Sequence, residues 1–243
     1  MPKPVVKQIT SWSFSRYSDY KSCPFKAKMK HVDKIQEPPN PAMARGGEIH
    51  TMAENYIKGK MKVMPKELKL FADEFKKLKV AYKKKAAVEV FVEDSWAFTD
   101  KWLETVWNDW ANCWVRIKLD CAHMVEDGVL RVIDWKTGKC REDNQEDYLE
   151  QLDLYALGAF LMFPKVMEVR PELKYLDYGI TFNGKDEPLV YKRSDLPKLK
   201  KAWEKRVKAM LNDKMFPPRP NKFCGWCFYR KANKANGGGQ CKF

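Results

Sequence analysis

The chain has 243 residues, 44% of them hydrophobic, which is enough to bury a sizeable core. Its 46 basic and 32 acidic side chains give a formal net charge of +14, which favours a polyanionic partner. The longest apolar stretch, around residues 155–163, is too short to span a bilayer, and the N-terminus has no apolar segment of export length. We therefore expect a cytoplasmic protein with no membrane partner.

The pattern of helices and strands predicts one mixed α/β domain over residues 1–243. It begins with a helical N-terminal part, continues with a core that contains the strands, and ends with a helix and a cysteine-bearing tail. These three parts span residues 1–85, 86–195 and 196–243. Amphipathic periodicity predicts helices at residues 65–84, 100–112 and 196–212, and a strand is predicted at residues 87–92.

His50 is the first candidate metal ligand along the chain. It is four residues before Glu54, so the two side chains share one face of a predicted helix. A neutral imidazole is a good ligand for a divalent metal such as manganese. Pairs of this kind also occur on ordinary helix surfaces, and both interpretations stay open at this point.

Two acidic residues, Asp120 and Asp134, lie on predicted strands at 114–120 and 132–136 that a hairpin should connect. A two-residue turn would place Asp120 on the wrong face of the sheet. A three-residue loop that ends at Gly128, with this glycine in the left-handed conformation, places Asp120 directly opposite Asp134. The sequence therefore permits a shared metal, and a plain hairpin with two surface acids is the alternative.

Lys136 follows Asp134 by two residues, so the two side chains share a face of the predicted strand. A metal-binding carboxylate beside a lysine that touches a reacting oxygen is what phosphodiester hydrolysis needs. A solvated strand face also carries such pairs by chance.

A predicted helix at 147–157 presents Tyr148, Gln151 and Tyr155 as one stripe. The amide and the phenols could brace a nearby lysine or contact a phosphate. Ordinary helix surface is the alternative interpretation.

In combination, these motifs resemble the RecB-like branch of the PD-(D/E)XK nuclease superfamily, which includes the nuclease domains of RecB and AddB and the RecB-like nuclease of CRISPR adaptation. The resemblance rests on motif order and extends from Ser11 to Cys241. The motifs, in order, are Ser11-Trp-Ser to Cys23-Pro-Phe, Gly46-x-x-x-His50, Val88-Glu-Val, Ile117-x-x-Asp120, Ile133-Asp-Trp-Lys-Thr-Gly138 and Gln151-x-x-x-Tyr155. The resemblance implies a restriction-endonuclease-like core, in which a mixed sheet is flanked by helices.

The resemblance also implies a Mg²⁺ or Mn²⁺ site. Its ligands would be His50, Asp120, Asp134 and the backbone carbonyl of Trp135. The second acid of the core motif is Asp134, and an aspartate has a shorter reach than the glutamate that this motif also allows. The difference bears on which metal is preferred and not on the chemistry.

The same resemblance assigns catalytic roles around this metal. Lys136 would orient or deprotonate the attacking water, and Gln151 and Tyr155 would position Lys136 or the phosphate. We expect Glu54 and Glu89 to support these groups from outside the ligand shell.

The seven cysteines are an odd number in a chain expected to stay in a reducing compartment, where clustered cysteines more often bind metal than form disulfides. Cys224 and Cys227 form a C-x2-C pair, and Cys241 follows near the end. The resemblance adds Cys23, because several relatives hold an iron–sulfur cluster on one N-terminal and three C-terminal cysteines. A [4Fe-4S] cluster, a zinc ion and no metal remain the alternatives.

Positive charge is concentrated at the two ends of the chain. Residues 1–34 carry eight basic and two acidic side chains, and residues 198–243 carry thirteen and two. Aromatic residues in these ends either stack on unpaired bases or belong to the core. They are Trp12, Phe14, Tyr17, Tyr20, Trp226, Phe228 and Tyr229.

These features favour a metal-dependent DNA nuclease, most simply an exonuclease that acts on single strands or ends in recombination or repair, with a recombination protein as a further partner. One alternative is a non-catalytic nucleic-acid-binding zinc protein. Another is a nuclease-fold subunit of a recombination or CRISPR-adaptation complex. An intact set of His50, Asp120, Asp134 and Lys136 argues against the non-catalytic alternative.

Overall fold

The computed structural model describes residues 8–84 and 89–243, and the chain forms two compact units. Residues Asn40–Lys201 form the first, which we call the sheet unit. The segment that ends at Pro39 and the segment that begins at Ala202 together form the second, which we call the terminal unit. These boundaries differ from the three segments expected from the sequence, because both chain ends belong to the same unit; the expected single domain stays a prediction.

The sheet has seven strands and is mixed, as the sequence predicts. The strands are β1 (Val90–Phe98), β2 (Glu104–Thr105), β3 (Val115–Glu126), β4 (Val129–Lys136), β5 (Glu168–Tyr175), β6 (Ile180–Phe182) and β7 (Tyr191–Lys192). Their order is β2-β1-β3-β4-β5-β6, with β7 also paired to β5. Only the β4–β5 pairing is parallel among these, and a long helix connects the two strands, as parallel neighbours require.

The helices agree with the predicted mixed α/β class. They are α1 (Phe14–Ser22), α2 (Pro24–Ala27), α3 (Pro41–Ile57), α4 (Ala72–Lys84), α5 (Gln145–Met162) and α6 (Leu196–Asn212). Shorter turns are the π-helix Lys28–Val32 and the 3-10 helices Lys66–Phe71, Glu142–Asn144, Arg193–Asp195, Cys224–Trp226 and Lys231–Asn236. Among the residues that the structure describes, no helix is both long and apolar enough to cross a membrane.

Most predicted elements are present, and one is wrong. The helix predicted at 196–212 is α6, and the one at 65–84 is a 3-10 turn followed by α4. The helix predicted at 100–112 does not form, because residues 104–105 pair with β1 and turns occupy the rest. The strand predicted at 87–92 is β1, which begins at Val90 and extends to Phe98; residues 85–88 lie outside the described part of the chain.

The β3–β4 hairpin has the predicted register. Cys121 lies opposite Ile133, so the next positions outward are Asp120 and Asp134. The predicted three-residue loop is replaced by a two-residue turn with a bulge before Glu126. The bulge adds one residue to β3 and therefore gives the same register beyond it as a three-residue loop. Gly128 has a φ of 72°, the left-handed conformation expected from the sequence.

The core on one side of the sheet joins α3 and α4 to the strands. Its buried members include Ile49 and Ala53 of α3, Phe75 of α4, and Ile133 and Trp135 of β4. This packing fixes α3 against the sheet. The other side packs against α5, where Gly158 lies so close to the sheet that an added Cβ would be 2.7 Å from Ile117 Cδ1 and 2.9 Å from Trp96 Cε3.

The strands β1 and β3 change sides where they pass the site described below. Val92 and Cys121 pack in the α3–α4 core, whereas Trp96 and Ile117, each four residues away, meet α5. Residues four apart share one face in a regular strand. The backbone between Val92 and Trp96 contains Glu93 in the left-handed conformation, with a φ of 54°, which accounts for the change of face in β1.

Gly158→Ala should destabilise the protein, because the new methyl group has no room between α5 and the sheet. We expect the free energy of unfolding to fall by about 1–3 kcal/mol, measured by chemical denaturation. Gly47→Ala in α3 is the matched control: nothing lies within 4 Å of its added Cβ, and alanine is the better helix former. Equal stability of Gly158→Ala and wild type would contradict the close α5 packing.

Candidate active site

His50 is presented by α3, whose start is well defined. The Asn40 side chain accepts a hydrogen bond from the Ala42 amide at 2.9 Å, and Pro41 is the first helical residue. Ile49 and Ala53 are buried in the core, which leaves His50 at the adjoining cleft. Gly46, one turn earlier, lets α3 approach the end of β4, since an added Cβ would lie 3.2 Å from Thr137 Oγ1.

Three side chains from three elements form a candidate metal centre: His50 of α3, Glu93 of β1 and Asp120 of β3. Their ligand atoms all lie within 4.8 Å of one another. Among residues 8–84 and 89–243, this is the one group in which three or more histidine, cysteine or acidic side chains lie close enough together to bind one ion. Carboxylate oxygens with one imidazole nitrogen suit a divalent metal such as Mg²⁺ or Mn²⁺.

Glu93 is placed here by an unusual backbone conformation. A non-glycine residue with a φ of 54° is strained by about 1–3 kcal/mol, and such strain is concentrated at functional sites. One carboxylate oxygen, Oε2, is 2.9 Å from Lys118 Nζ. The other, Oε1, is buried, makes no hydrogen bond with the described residues and lies 4.0 Å from His50 Nδ1. A buried anionic oxygen without a donor is what a bound cation would satisfy.

Asp120 lies where β3 leaves β4. Its Oδ2 accepts the backbone N–H of Trp135 at 2.6 Å, and its Oδ1 is 3.0 Å from His50 Nδ1. Burial and the charge of Asp134 raise the pKa of Asp120, while the hydrogen bond with His50 acts in the opposite direction. Burial acts to lower the pKa of His50, but the bond to Asp120 and the nearby carboxylates outweigh it, so the pKa of His50 is raised. The two groups stabilise each other's charged forms.

Asp134 and Lys136 lie beside this group at the end of β4. The Lys136 ammonium is 2.5 Å from Asp134 Oδ2. The other oxygen of Asp134 accepts the hydroxyl of Tyr155, whose own oxygen accepts a hydrogen bond from Gln151 Nε2 at 2.9 Å. Burial and the charge of Asp134 raise the pKa of Tyr155 well above its usual value, so the phenol stays protonated and donates a hydrogen bond to the carboxylate.

An open cleft of about 870 Å³ gives access to the site. His50, Glu93 and Lys136 line it, together with Glu54 and Lys118. Two ammonium groups thus flank the acidic ligands, in positions where they can balance negative charge on a substrate as well as on the carboxylates.

The structure brings most of the predicted site residues together. His50 and Asp120 are brought together, and Asp134 lies next to them with Lys136. Gln151 and Tyr155 lie in the same place: Tyr155 donates a hydrogen bond to Asp134, and Gln151 donates one to Tyr155. Their expected role in positioning Lys136 or the phosphate stays a prediction. The metal-binding role of the Trp135 carbonyl stays a prediction; the structure shows its amide bonded to Asp120.

The acid of β1 that faces His50 is Glu93 and not Glu89. Glu89 is exposed and lies just before β1, four residues away from Glu93. Its backbone carbonyl accepts a hydrogen bond from the Met124 amide. The predicted strand ended at residue 92, one position short of Glu93. The position of Glu93 directly after the predicted strand could have suggested it as a site residue. Its left-handed backbone conformation, however, could not be predicted from the neighbouring residues. Glu54 lines the cleft and is 2.7 Å from Lys58 Nζ.

The predicted cysteines meet in the terminal unit. Cys23, Cys224, Cys227 and Cys241 line one cavity of about 280 Å³. The Arg219 amide donates to Cys23 Sγ at 3.3 Å, and the Asn221 amide donates to Cys224 Sγ at 3.2 Å.

The long gap before Cys241 is folded rather than open. After the 3-10 helix Lys231–Asn236, Gly237 and Gly239 have φ values of 82° and 89°, and the Cys241 amide donates to the Tyr229 carbonyl at 2.8 Å. The glycine turn thus returns Cys241 to the other cysteines. The role of the four as ligands stays a prediction.

Three of the seven aromatics of the chain ends belong to the buried core of the terminal unit. Trp12, Tyr17 and Tyr229 are buried, and Trp12 stacks on Trp203 with ring centroids 5.1 Å apart. Stacking on bases is therefore the wrong interpretation for these three. Trp226, between two of the cysteines, is 90% exposed.

Comparison with known proteins gives a clear family match. The model of the PD-(D/E)XK nuclease superfamily matches residues 11–232. Two solved structures each align with 93% of this chain. The protein SSO0001 is 14% identical, with a TM-score of 0.43, and 86% of its chain is covered. An exonuclease candidate from Eubacterium rectale is 11% identical, with a TM-score of 0.47, and 88% of its chain is covered. Neither likeness bears on activity at these scores. No curated protein matches the chain.

Glu93→Gln should weaken metal binding, because it removes the charge of the buried carboxylate while keeping its size. We expect the dissociation constant for Mn²⁺ to rise at least about tenfold, measured by isothermal titration calorimetry. Glu48→Gln is the matched control, an exposed acid of α3 outside the ligand group. Unchanged Mn²⁺ affinity in Glu93→Gln would remove Glu93 from the centre.

Proposed function

The chain belongs to the PD-(D/E)XK nuclease superfamily, and we propose that it is a RecB-like exonuclease that acts on single-stranded DNA or DNA ends. Members of this superfamily hydrolyse phosphodiesters with the help of divalent metal ions. The observation that carries the proposal is the group of His50, Glu93 and Asp120 next to the Asp134–Lys136 pair. The motif order from Gly46 to Tyr155 supports the RecB-like assignment.

The residues fit Mg²⁺ or Mn²⁺. Two carboxylates and an imidazole converge, and the buried Oε1 of Glu93 makes no hydrogen bond within the described residues. A cation bound there would supply Lewis-acid charge at the scissile phosphate and lower the pKa of a bound water. Asp134 is the further ligand expected from the sequence, and it lies close enough for its charge to raise the pKa of Asp120.

The protein's own side chains position the reaction. Tyr155 and Gln151 hold one oxygen of Asp134, which leaves the other oriented toward Lys136. The Lys136 ammonium can then orient the attacking water and stabilise the negative charge that develops on the phosphate oxygens. Lys118 neutralises part of the charge of Glu93, which reduces repulsion between the acids and the DNA backbone.

Charge supports nucleic acid as the substrate. The formal net charge of +14 includes thirteen basic against two acidic side chains in residues 198–243. Such surfaces bind phosphate backbones through counterion release. A purely nucleic-acid-binding role would give no purpose to the two buried carboxylates, Asp120 bonded to His50 and Asp134 bonded to Tyr155.

For the cysteine cavity we propose a [4Fe-4S] cluster rather than zinc. In a zinc tetrahedron the sulfurs are ~3.8 Å apart, given Zn–S bonds of about 2.3 Å. The four cysteines line a cavity of about 280 Å³, which leaves room for a group larger than one zinc ion. The amides of Arg219 and Asn221 already donate to sulfur, as backbone groups do around iron–sulfur clusters. A bound cluster would bridge Cys23 to the C-terminal cysteines and so hold the two chain ends together.

Asp134→Ala and Lys136→Ala should each abolish cleavage while the fold stays intact. Loss of the carboxylate removes metal-binding charge, and loss of the ammonium removes the group next to the reacting oxygens, so we expect losses of about a thousandfold or more. The measurement is a gel assay of end-labelled single- and double-stranded DNA, with and without Mn²⁺. Asp127→Ala and Lys139→Ala, both exposed, are the matched controls. Near wild-type cleavage by either site variant would show that the site is elsewhere.

The protein purified without oxygen should be brown and contain iron and acid-labile sulfide. Cys224→Ser should lose this colour and make the chain ends more sensitive to proteolysis, because one ligand of the cluster is lost. Cys113→Ser, in the sheet unit, is the control. Colourless protein with stoichiometric zinc would select the zinc alternative, and colourless protein without metal would leave the cavity without a cofactor.

A further inference from the structure

A tryptophan on the sheet unit is unusually exposed and yet firmly held. Trp110 is 80% exposed, in the loop 99–114 between β1 and β3. Burying a side chain of this size would stabilise the fold by several kcal/mol on area alone. Its exposure leaves this large aromatic surface available to a ligand.

Arg116 supports the inner face of this ring. Its guanidinium carbon is 4.9 Å from the centre of the Trp110 ring and 5.7 Å from that of Trp107, and its Nε donates to the Trp107 carbonyl at 2.9 Å. Stacking of arginine on tryptophan is the strongest common form of cation–π contact. Arg116 is itself buried, so the ring rests on a fixed base.

The loop around Trp110 is ordered by its own hydrogen bonds. The Asp109 carboxylate accepts the Thr105 hydroxyl at 2.7 Å and the Asn112 amide at 3.0 Å, and the Cys113 amide donates to the Asp109 carbonyl. Trp102 is buried against Trp114, with ring centroids 5.0 Å apart. The exposed ring is thus presented by a rigid support, which lowers the entropy that a ligand must overcome on binding.

The ring lies on the same side of the sheet as the metal centre. Arg116 and Lys118 are two residues apart in a regular part of β3, so they share a face, about 7 Å apart along the strand. Lys118 lines the cleft and is 2.9 Å from Glu93. Ser95, opposite Lys118 on β1, is also exposed. An open strip therefore runs from the acidic ligands, past an ammonium group, to the tryptophan.

We propose that Trp110 is a stacking platform for one unpaired base of a single strand whose backbone passes Lys118 on its way to the metal centre. The inference rests on the proposed nuclease function and adds a substrate preference to it. A phosphate fits beside the Lys118 ammonium, and a base fits against the outer face of the Trp110 ring. A base inside a duplex is already stacked on both faces, so the platform favours single-stranded DNA over duplex DNA.

The test separates stacking from general hydrophobic contact. Binding of a fluorescein-labelled oligothymidine is measured by anisotropy in EDTA, where no cleavage occurs. Trp110→Leu should bind about tenfold more weakly than wild type, and Trp110→Phe should retain most of the affinity, because only the latter keeps an aromatic face. Val106→Ala, at another exposed apolar residue of the same segment, is the control and should bind as wild type does. Affinity for a closed circular duplex should be unchanged in all three variants.

A second measurement locates the stacked base. One abasic nucleotide is moved along the oligonucleotide, and the single position that weakens binding to wild type should have no effect in Trp110→Leu. Unchanged single-strand affinity in Trp110→Leu, or equal affinities of the Leu and Phe variants, would overturn the platform. Because these measurements need no turnover, failure of wild type to cleave DNA with Mn²⁺ would refute the nuclease proposal separately.

Discussion

The bond between the Asp120 carboxylate and the Trp135 amide determines the geometry of the whole site. In a continuing ladder, the Trp135 amide would pair with a backbone carbonyl of β3; here a side chain replaces that carbonyl at 2.6 Å. The substitution lets β3 separate from β4 without leaving an unsatisfied amide in the core, which would cost about 1–3 kcal/mol. Glu93, at the position of β1 that matches Asp120, and His50 of α3 meet Asp120 at this point of the sheet.

The acids of this site are stable only because each has a compensating group. Asp120 has His50 and an amide, Asp134 has Lys136 and Tyr155, and Glu93 has Lys118 at one oxygen. Uncompensated, buried carboxylates in this proximity would take up protons, as the raised pKa of Asp120 indicates. The partial compensation leaves acceptor atoms directed into the cleft, which is the electrostatic condition for holding a divalent cation.

Local sequence signals were sufficient wherever one local rule decides the structure. The α6 helix follows from its amphipathic period, and the hairpin register follows from alternation together with a glycine at the turn. The loop 99–114 was mispredicted because Leu103, Val106 and Trp110 recur with helical spacing, although they are exposed. Glu93 escaped prediction for a different reason: a left-handed backbone at a glutamate departs from local preference, and no local sequence pattern predicts it. The functional position is thus the one where the backbone departs from local preference.

The terminal unit is assembled from both ends of the chain, and this has a consequence for biosynthesis. Trp12 stacks on Trp203, and Tyr20 donates to the Asp213 carboxylate at 2.7 Å, so the core of the N-terminal segment is supplied by residues made almost 200 positions later. A ribosome releases the chain from its N-terminus first. The sheet unit can therefore fold while synthesis continues, whereas the first segment emerges with its aromatic side chains unpaired and waits for the last. Chaperones that bind exposed aromatic segments would meet the segment of Trp12 and Tyr20 before α6 is made, and translation that stops before α6 would leave that segment without its core.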